Sequence, residues 1–150
     1  MSDENYSLKQ MIYMEANILK NLNYEVLTAS PYQFLSIISQ ELQGTERIQE
    51  SILLAQYILE LSLLEYKSLK FNASVKACAA IYISRKMLNF DNPWSSEIKQ
   101  VFSLRDGLVK DCAKQFTELM IFANKTALKS CKTKYSSKEF LKVHKFIEKF

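Results

Sequence analysis

The stretch that decides the fold runs from Asn72 to Leu88 and reads NASVKACAAIYISRKML. Small side chains recur through it, since Ala77 and Ala80 stand close to helical spacing with a cysteine and a further alanine between them. Small residues let neighbouring helices approach closely, so the pattern predicts a central helix with other helices packed around it. Either Asn72 or Ser74 can cap the first turn of this helix.

Apolar residues recur with a helical period along most of the remaining chain. The predicted helices lie at about Tyr6–Asn23, from Pro31 (after the cap Ser30) to the stop at Gly44, from the cap Thr45 to about Leu64, at about Ser95–Phe102 and at about Arg105–Leu128. Two glycines and two prolines are too few for a sheet with tight turns. We therefore predict an all-α fold, a bundle of five helices around the central alanine-rich helix, plus one extra N-terminal helix.

Length and composition indicate one folded domain. The chain has 150 residues, of which 48% are hydrophobic, and this content is too high for a disordered chain. It contains no run of 18 apolar residues, and its first ten residues lack the basic and apolar regions of a signal peptide. Three cysteines without a C-x-x-C pair suit a reducing compartment. We expect a soluble protein that is neither secreted nor bound to a membrane.

The net charge of +4 is unevenly distributed along the chain. From Lys125 onward eight lysines stand against two glutamates, whereas the preceding residues carry 12 basic and 14 acidic side chains. A nucleic-acid surface needs clustered basic residues, so nucleic-acid binding is not expected of the residues before Lys125. The lysine-rich tail is expected to be solvated.

The sequence lacks the residue patterns that catalysis or metal binding would need. It has no glycine-rich phosphate loop, no G-x-S-x-G turn and no H-E-x-x-H helix, and His144 is the only histidine. A Cys131–His144 pair would lack the third group that orients the histidine, and Cys78 is expected to be a small core residue. We therefore predict no enzyme activity, no catalytic residue, no cofactor, no metal ion and no small-molecule substrate. Core positions are predicted for four aromatic residues: Trp94, Tyr66, Tyr82 and Tyr135.

The first predicted helix contains a charge that its apolar pattern does not explain. With 100° of rotation per residue, one wide arc of this helix carries Leu8, Met11, Met14, Ile18, Leu19 and Leu22. Glu15 lies inside this apolar arc. A carboxylate there is costly if it is buried without a partner, but it is useful at an interface opposite a basic group. The position of Glu15 therefore indicates either a partner surface or a solvated edge of the arc.

Four stretches resemble the A/B-type mitotic cyclins in their order and spacing. MEANILKNLNYEV (residues 14–26) with SPYQFL resembles the passage from the first cyclin box of that family to the second. LAQYILELSLLEYKSLKFNASVKACAAIYIS resembles the signature of the second box, NPWSSEI its Trp-containing entry to the fourth helix, and KTKYSSKEFLKV its segment after the last helix.

The resemblance implies that the chain consists of three segments and that most of the first cyclin box is absent. Residues 26–128 would form the second cyclin box, and residues 1–25 the last helix of an otherwise absent first box. Residues 129–150 would form a basic tail. The resemblance further implies that the chain is a truncated piece or an incomplete gene product.

The resemblance also implies a function for the first helix. In cyclins, the last helix of the first box faces the cyclin-dependent protein kinase, and its glutamate contacts that kinase. Matched residue by residue, this glutamate is Glu15. Leu19, Tyr24 and Val26 match the positions that line an apolar pocket for a kinase side chain.

The protein implied by the resemblance is a non-catalytic subunit. At full length it would activate a cyclin-dependent Ser/Thr kinase in the control of cell division, in the nucleus or the cytoplasm. This chain alone is expected to be inactive, because the other half of the kinase interface is missing. Because the apolar arc of its N-terminal helix has lost its neighbours, the chain is also expected either to self-associate through this helix or to fold the helix back on the bundle.

Two other functions fit the same helical pattern. A module like general transcription factor IIB shares the fold and binds DNA and polymerase, but it should present a basic surface, which the residues before Lys125 lack. A generic helical scaffold without a kinase partner is the third interpretation. Co-purification with a kinase would separate the first function from the third, and salt-dependent DNA binding would favour the second.

Overall fold

The computed structural model describes residues 5–123 and 129–148, and these residues contain helices but no β-strand. The helices are α1 (Leu8–Asn21), α2 (Pro31–Glu41), α3 (Ile48–Ser62), the 3₁₀ segment Tyr66–Lys70, α4 (Ala73–Met87), α5 (Ser96–Phe102), α6 (Asp106–Ala123), α7 (Ser130–Tyr135) and α8 (His144–Glu148). The all-α prediction is therefore confirmed, and the six helices expected from the periodicity are present. The predicted end of the last of them, Leu128, lies outside the described residues.

α4 lies at the centre of the bundle. Nine of its 15 residues are buried, and it packs against α2, α3 and α6. As predicted, no surface is exposed at Ala77, Ala80, Ile81 and Ser84. The Ser84 hydroxyl donates a hydrogen bond of 2.8 Å to the carbonyl of Ser51 in α3, which satisfies a polar group inside the core. Cys78 is a buried core residue, and burial raises the pKa of its thiol to about 12.

The starts of three helices test the predicted caps. Ser30 precedes α2 and accepts a hydrogen bond from the first turn, as predicted. The predicted cap Thr45 is wrong, because its hydroxyl instead donates a bond of 2.8 Å to the Leu42 carbonyl at the end of α2. Arg47 precedes α3 and has a left-handed backbone (φ 52°). Asn72, the first of the two proposed caps, precedes α4, but its side chain forms no capping hydrogen bond.

The lysine-rich C-terminal segment (residues 129–148) keeps its described lysines exposed to solvent, as expected, but it is folded and buries apolar residues that stand between them. Tyr135 of α7 is buried, and so is Ile147 of α8. The Tyr135 ring stacks on Tyr57 of α3 with 4.7 Å between centroids, and its hydroxyl donates a hydrogen bond of 2.8 Å to the Glu60 carboxylate. Burial raises the pKa of the Tyr135 hydroxyl, so it stays a hydrogen-bond donor.

The other predicted core aromatics divide into two groups. Tyr82 and Trp94 are partly buried against the core and meet edge to face, with 6.3 Å between ring centroids. The indole N–H of Trp94 donates a hydrogen bond of 2.9 Å to Asp106 at the start of α6. Tyr66 is 84% exposed, so its predicted core position is wrong. The 3₁₀ segment turns Ser68 inward instead, where its hydroxyl bonds to a carbonyl of α3.

Candidate functional site

Among the described helices, α1 alone buries no residue. Its large apolar side chains stay exposed, and they are Leu8, Met11, Ile12, Tyr13, Met14, Ile18 and Leu22. A groove along this helix is lined by Tyr6, Gln10, Met11, Tyr13, Met14, Glu15, Ile18 and Leu19. We call these exposed and groove-lining residues the α1 face. A contiguous apolar surface of this kind is typical of a site that binds another protein.

Local hydrogen bonds define the N-terminus of α1. The backbone N–H of Ser7 donates to the side-chain carbonyl of Gln10 at 2.8 Å, and the Gln10 N–H donates to the Ser7 hydroxyl at 3.3 Å. This reciprocal pair is a capping box, which satisfies backbone donors that have no partner inside the helix. The face therefore starts at a defined residue.

The C-terminus of α1 ends in a Schellman motif that includes two of the predicted site residues. Asn23 adopts the left-handed conformation (φ 49°), and its N–H donates to the Lys20 carbonyl at 3.1 Å. The N–H of Tyr24 donates to the Leu19 carbonyl at 2.9 Å. The next turn continues from there, because the Val26 N–H donates to the Tyr24 carbonyl at 3.0 Å. Backbone bonds thus link Leu19, Tyr24 and Val26 in one connected turn.

Glu15 lies on the α1 face among apolar side chains. Its carboxylate is exposed, and within the described ranges it forms neither a side-chain hydrogen bond nor an ion pair with a basic group. Water therefore solvates the charge while the face is uncovered. A partner that covered the face would remove this water, so it would need to supply a cation or a donor opposite Glu15.

The predicted residues are brought together only in part. Glu15 and Leu19 line the same groove, one helical turn apart. Tyr24 and Val26 follow in the turn, where they are 69% and 51% exposed and outside that groove. The sequence reasoning missed the fully exposed Leu27, as well as the groove residues Tyr6, Gln10 and Tyr13. The turn after α1 could have been predicted from Asn23, because asparagine tolerates the left-handed conformation.

Three other features of the described part of the chain bear on its function: the length and hydropathy of its helices, the residue types that bind metals, and its histidine. There, no helix has both the length and the apolar character needed to cross a bilayer. No group of three or more His, Cys, Asp and Glu side chains in the described residues could hold a metal ion. The ring nitrogen Nδ1 of His144 lies 3.2 Å from the Tyr135 carbonyl, so a backbone contact orients this imidazole.

Comparison with known proteins gives a consistent family. The sequence model of the family described as "Cyclin, C-terminal domain" matches residues 29–149. The chain is 29% identical over 143 residues to a G2/mitotic-specific cyclin-B of Dictyostelium discoideum, which covers 95% of this chain and 32% of that protein. It is 30% identical over 113 residues to a putative cyclin-B3-1 of Arabidopsis thaliana, which covers 75% of this chain and 28% of the relative.

The chain is also similar to an A-type cyclin. The chain is 28% identical over 143 residues to cyclin-A3-1 of Oryza sativa subsp. japonica, which covers 93% of this chain and 38% of that protein. This chain therefore spans about a third of the length of the curated relatives it matches. The match that covers 95% of the chain includes most of α1, although the family model begins only at residue 29.

Proposed function

Because this chain belongs to the cyclin family, we propose that it is part of a regulatory subunit that binds and activates a cyclin-dependent protein kinase. The similarity to mitotic cyclins supports a role in the control of cell division. The subunit itself performs no catalysis, since cyclins are regulatory proteins. We further propose that it is located in the nucleus and the cytoplasm, the compartments in which such a kinase would act during cell division.

One observation carries the proposal that α1 contacts the kinase. Each of the other described α-helices buries apolar residues, whereas the α1 face leaves all of its own exposed or partly exposed around a carboxylate that has no partner among the described residues. A protein surface with apolar side chains around a lysine or arginine would complement this face in shape and in charge. We propose that Glu15 pairs with such a cation of the kinase.

Leu19, Tyr24 and Val26 are proposed to receive an apolar side chain of the kinase. The Schellman motif supports this assignment, because its hydrogen bonds hold Tyr24 next to the end of the helix before any partner binds. A preorganised turn loses less conformational freedom on binding than a flexible segment would. The groove on α1 would then continue into the turn as one binding surface.

Activation would be a shift of the kinase population. A subunit that binds the active conformation better than the inactive one favours the active conformation by that difference in affinity. The chain spans about a third of its relatives, so the α1 face is proposed to be one edge of a larger interface. Because affinity depends on a desolvated central cluster, this chain alone should bind the kinase weakly and should not activate it.

A chimaera provides the test. In the Dictyostelium cyclin-B, this chain would replace the matching third, and kinase affinity and activity would be measured with and without Glu15→Ala. The loss of one partner from a buried charge pair should weaken kinase binding by about 2–5 kcal/mol. The control is Glu41→Ala, which removes an exposed carboxylate at the end of α2. Unchanged affinity of the Glu15→Ala chimaera would contradict the proposed role of α1.

A further inference from the structure

A second groove lies between α4 and α6, on helices other than α1. It is lined by Tyr82, Ile83, Lys86, Met87, Lys110, Ala113, Lys114 and Thr117 and has a volume of about 240 Å³. Ile83 and Ala113 are buried and form an apolar floor, and the flexible Met87 is partly exposed beside them. The Thr117 hydroxyl donates to the Ala113 carbonyl at 2.9 Å, so the floor has no free hydroxyl.

Three lysines surround this floor from both helices. Lys86 extends from α4, and Lys110 and Lys114 extend from successive turns of α6. All three are exposed, and among the described residues no carboxylate lies within 4 Å of their ammonium groups. Like charges one helical turn apart destabilise an isolated helix slightly, so the pair on α6 does not serve the helix itself.

The carboxylates of α6 near the groove, Asp106, Asp111 and Glu118, form no ion pair within 4 Å with the three lysines. Asp106 lies one turn before Lys110, but it accepts hydrogen bonds from the Trp94 indole at 2.9 Å and from Lys99 at 3.3 Å. These bonds, together with the charges of Lys99 and Lys110, hold the pKa of Asp106 below its usual range. Glu118 lies one turn after Lys114 and is exposed without an ion pair to it. The described residues that line the groove therefore include three positively charged side chains and no carboxylate.

We propose that the groove between α4 and α6 binds a short acidic peptide segment of a partner protein. One apolar side chain of the segment would rest on Ile83, Met87 and Ala113, and its carboxylates would face the three lysines. Apolar contact and charge complementarity would thus act together, as in other acidic-motif sites. The proposal is independent of the kinase interface, because none of its residues belongs to the α1 face.

The dimensions of the groove favour a peptide over other ligands. Its volume is below the roughly 300–1,000 Å³ of typical small-molecule sites. It extends along about two turns of α6, or roughly 10 Å, which three to four extended residues would cover. Single-stranded nucleic acid typically stacks its bases on open aromatic rings, but the only aromatic ring among the described residues that line this groove, Tyr82, already packs against Trp94.

The test uses the whole chain and a blocked peptide of the sequence Glu-Asp-Leu-Phe-Glu-Asp. Amide chemical shifts would be followed by NMR during the titration, and the amides of Ile83, Met87 and Ala113 should shift. Added salt should weaken the binding, because the charge pairs are exposed to solvent. A matched peptide with Gln and Asn in place of Glu and Asp should bind at least about tenfold more weakly.

Charge reversal then identifies the site. The double variant Lys110→Glu/Lys114→Glu should weaken binding of the acidic peptide by about tenfold or more. The double variant Lys138→Glu/Lys142→Glu makes the same charge change at exposed lysines of the C-terminal segment and should leave the affinity unchanged. Far-UV circular dichroism would verify that both variants fold. Shifts confined to α1 or to the C-terminal segment, no shifts at all, or equal loss in both variants would overturn the proposal.

Discussion

α1 and α4 are helices of nearly equal length with opposite environments. α1 has 14 residues and buries none of them, whereas α4 has 15 residues and buries nine. α4 carries alanines, so its neighbours approach closely and the core forms around it. α1 carries large apolar side chains around a carboxylate, and none of its residues is buried by the bundle. The difference teaches that apolar content alone does not determine burial, because a helix is buried only where other helices pack against it.

The two helices should also contribute differently to stability. A helix of 14 residues is marginal in water without tertiary packing, and α1 has only its terminal caps and its own hydrogen bonds. The free energy of folding must therefore come from the bundle. Each of the next three substitutions is paired with a matched substitution at an exposed position, so that the contribution of burial is measured directly.

The largest expected effect is at Phe116, which is fully buried in α6. Phe116→Ala leaves a cavity and should lower the free energy of unfolding by about 3–5 kcal/mol. Met14→Ala on α1 also removes a large side chain, but Met14 is 56% exposed, so its cost should stay within about 0.5 kcal/mol. Urea unfolding followed by circular dichroism measures both. Equal losses would show that α1 is part of the core.

The next largest effect tests the close packing of α4. Ala80→Leu inserts a larger side chain where no surface is exposed, and the strain should cost about 1–3 kcal/mol. Ala16→Leu makes the identical change at an exposed position of α1 and should change the stability by no more than about 0.5 kcal/mol. The midpoint of urea unfolding would be compared for the two variants. A stable Ala80→Leu protein would contradict the central position of α4.

A smaller effect is expected where the C-terminal segment docks on α3. Tyr135→Phe removes the hydrogen bond to Glu60 but keeps the stacked ring and the Lys134–Glu60 ion pair, so it should cost about 1–2 kcal/mol. The control Tyr66→Phe removes a hydroxyl from a ring that is 84% exposed and should be neutral. Thermal unfolding by calorimetry would show whether the segment unfolds with the bundle. A neutral Tyr135→Phe would mean that the hydrogen bond adds nothing to the docking.

The sequence predicts most of the fold because helical periodicity and small residues are local signals. The six helices and the central position of Ala77 and Ala80 follow from them. The docking of the C-terminal segment does not follow from them. Tyr135 is predicted as a core aromatic, but the surrounding lysines dominate the pattern and hide the buried Val143 and Ile147. The predicted cap at Thr45 is wrong because a hydroxyl between two helices can bond to the end of the preceding helix as well as to the start of the next one.

The candidate site is predictable to a lesser degree. The angle of Glu15 within the apolar arc follows from helical geometry alone, and the structure leaves this carboxylate on the exposed α1 face. The roles of Tyr24 and Val26 rest on the family resemblance and stay predictions. The groove between α4 and α6 cannot be predicted from the sequence, because Lys86 and Lys110 come together only when distant helices pack.

The smallest expected effect on stability accompanies a change of oligomeric state. Self-association through the α1 face is expected, because an exposed apolar surface gains free energy when a second copy covers it. Light scattering should show dimers that form as the protein concentration rises over about a hundredfold range. Ile18→Glu places a second charge on the face and should keep the chain monomeric, while the free energy of unfolding changes by at most about 0.5 kcal/mol.

Glu15→Ala separates accidental association from a surface built for a partner. Between two copies of α1 the carboxylate would be desolvated without a cation opposite it, so its removal should strengthen the dimer. In the proposed kinase complex the same carboxylate gains a basic partner, so its removal should weaken binding. The substitution should therefore shift the two equilibria in opposite directions, measured by light scattering for the chain and by kinase affinity for the chimaera. If both interactions strengthen or both weaken, Glu15 does not select a basic partner, and the α1 face is only an apolar surface.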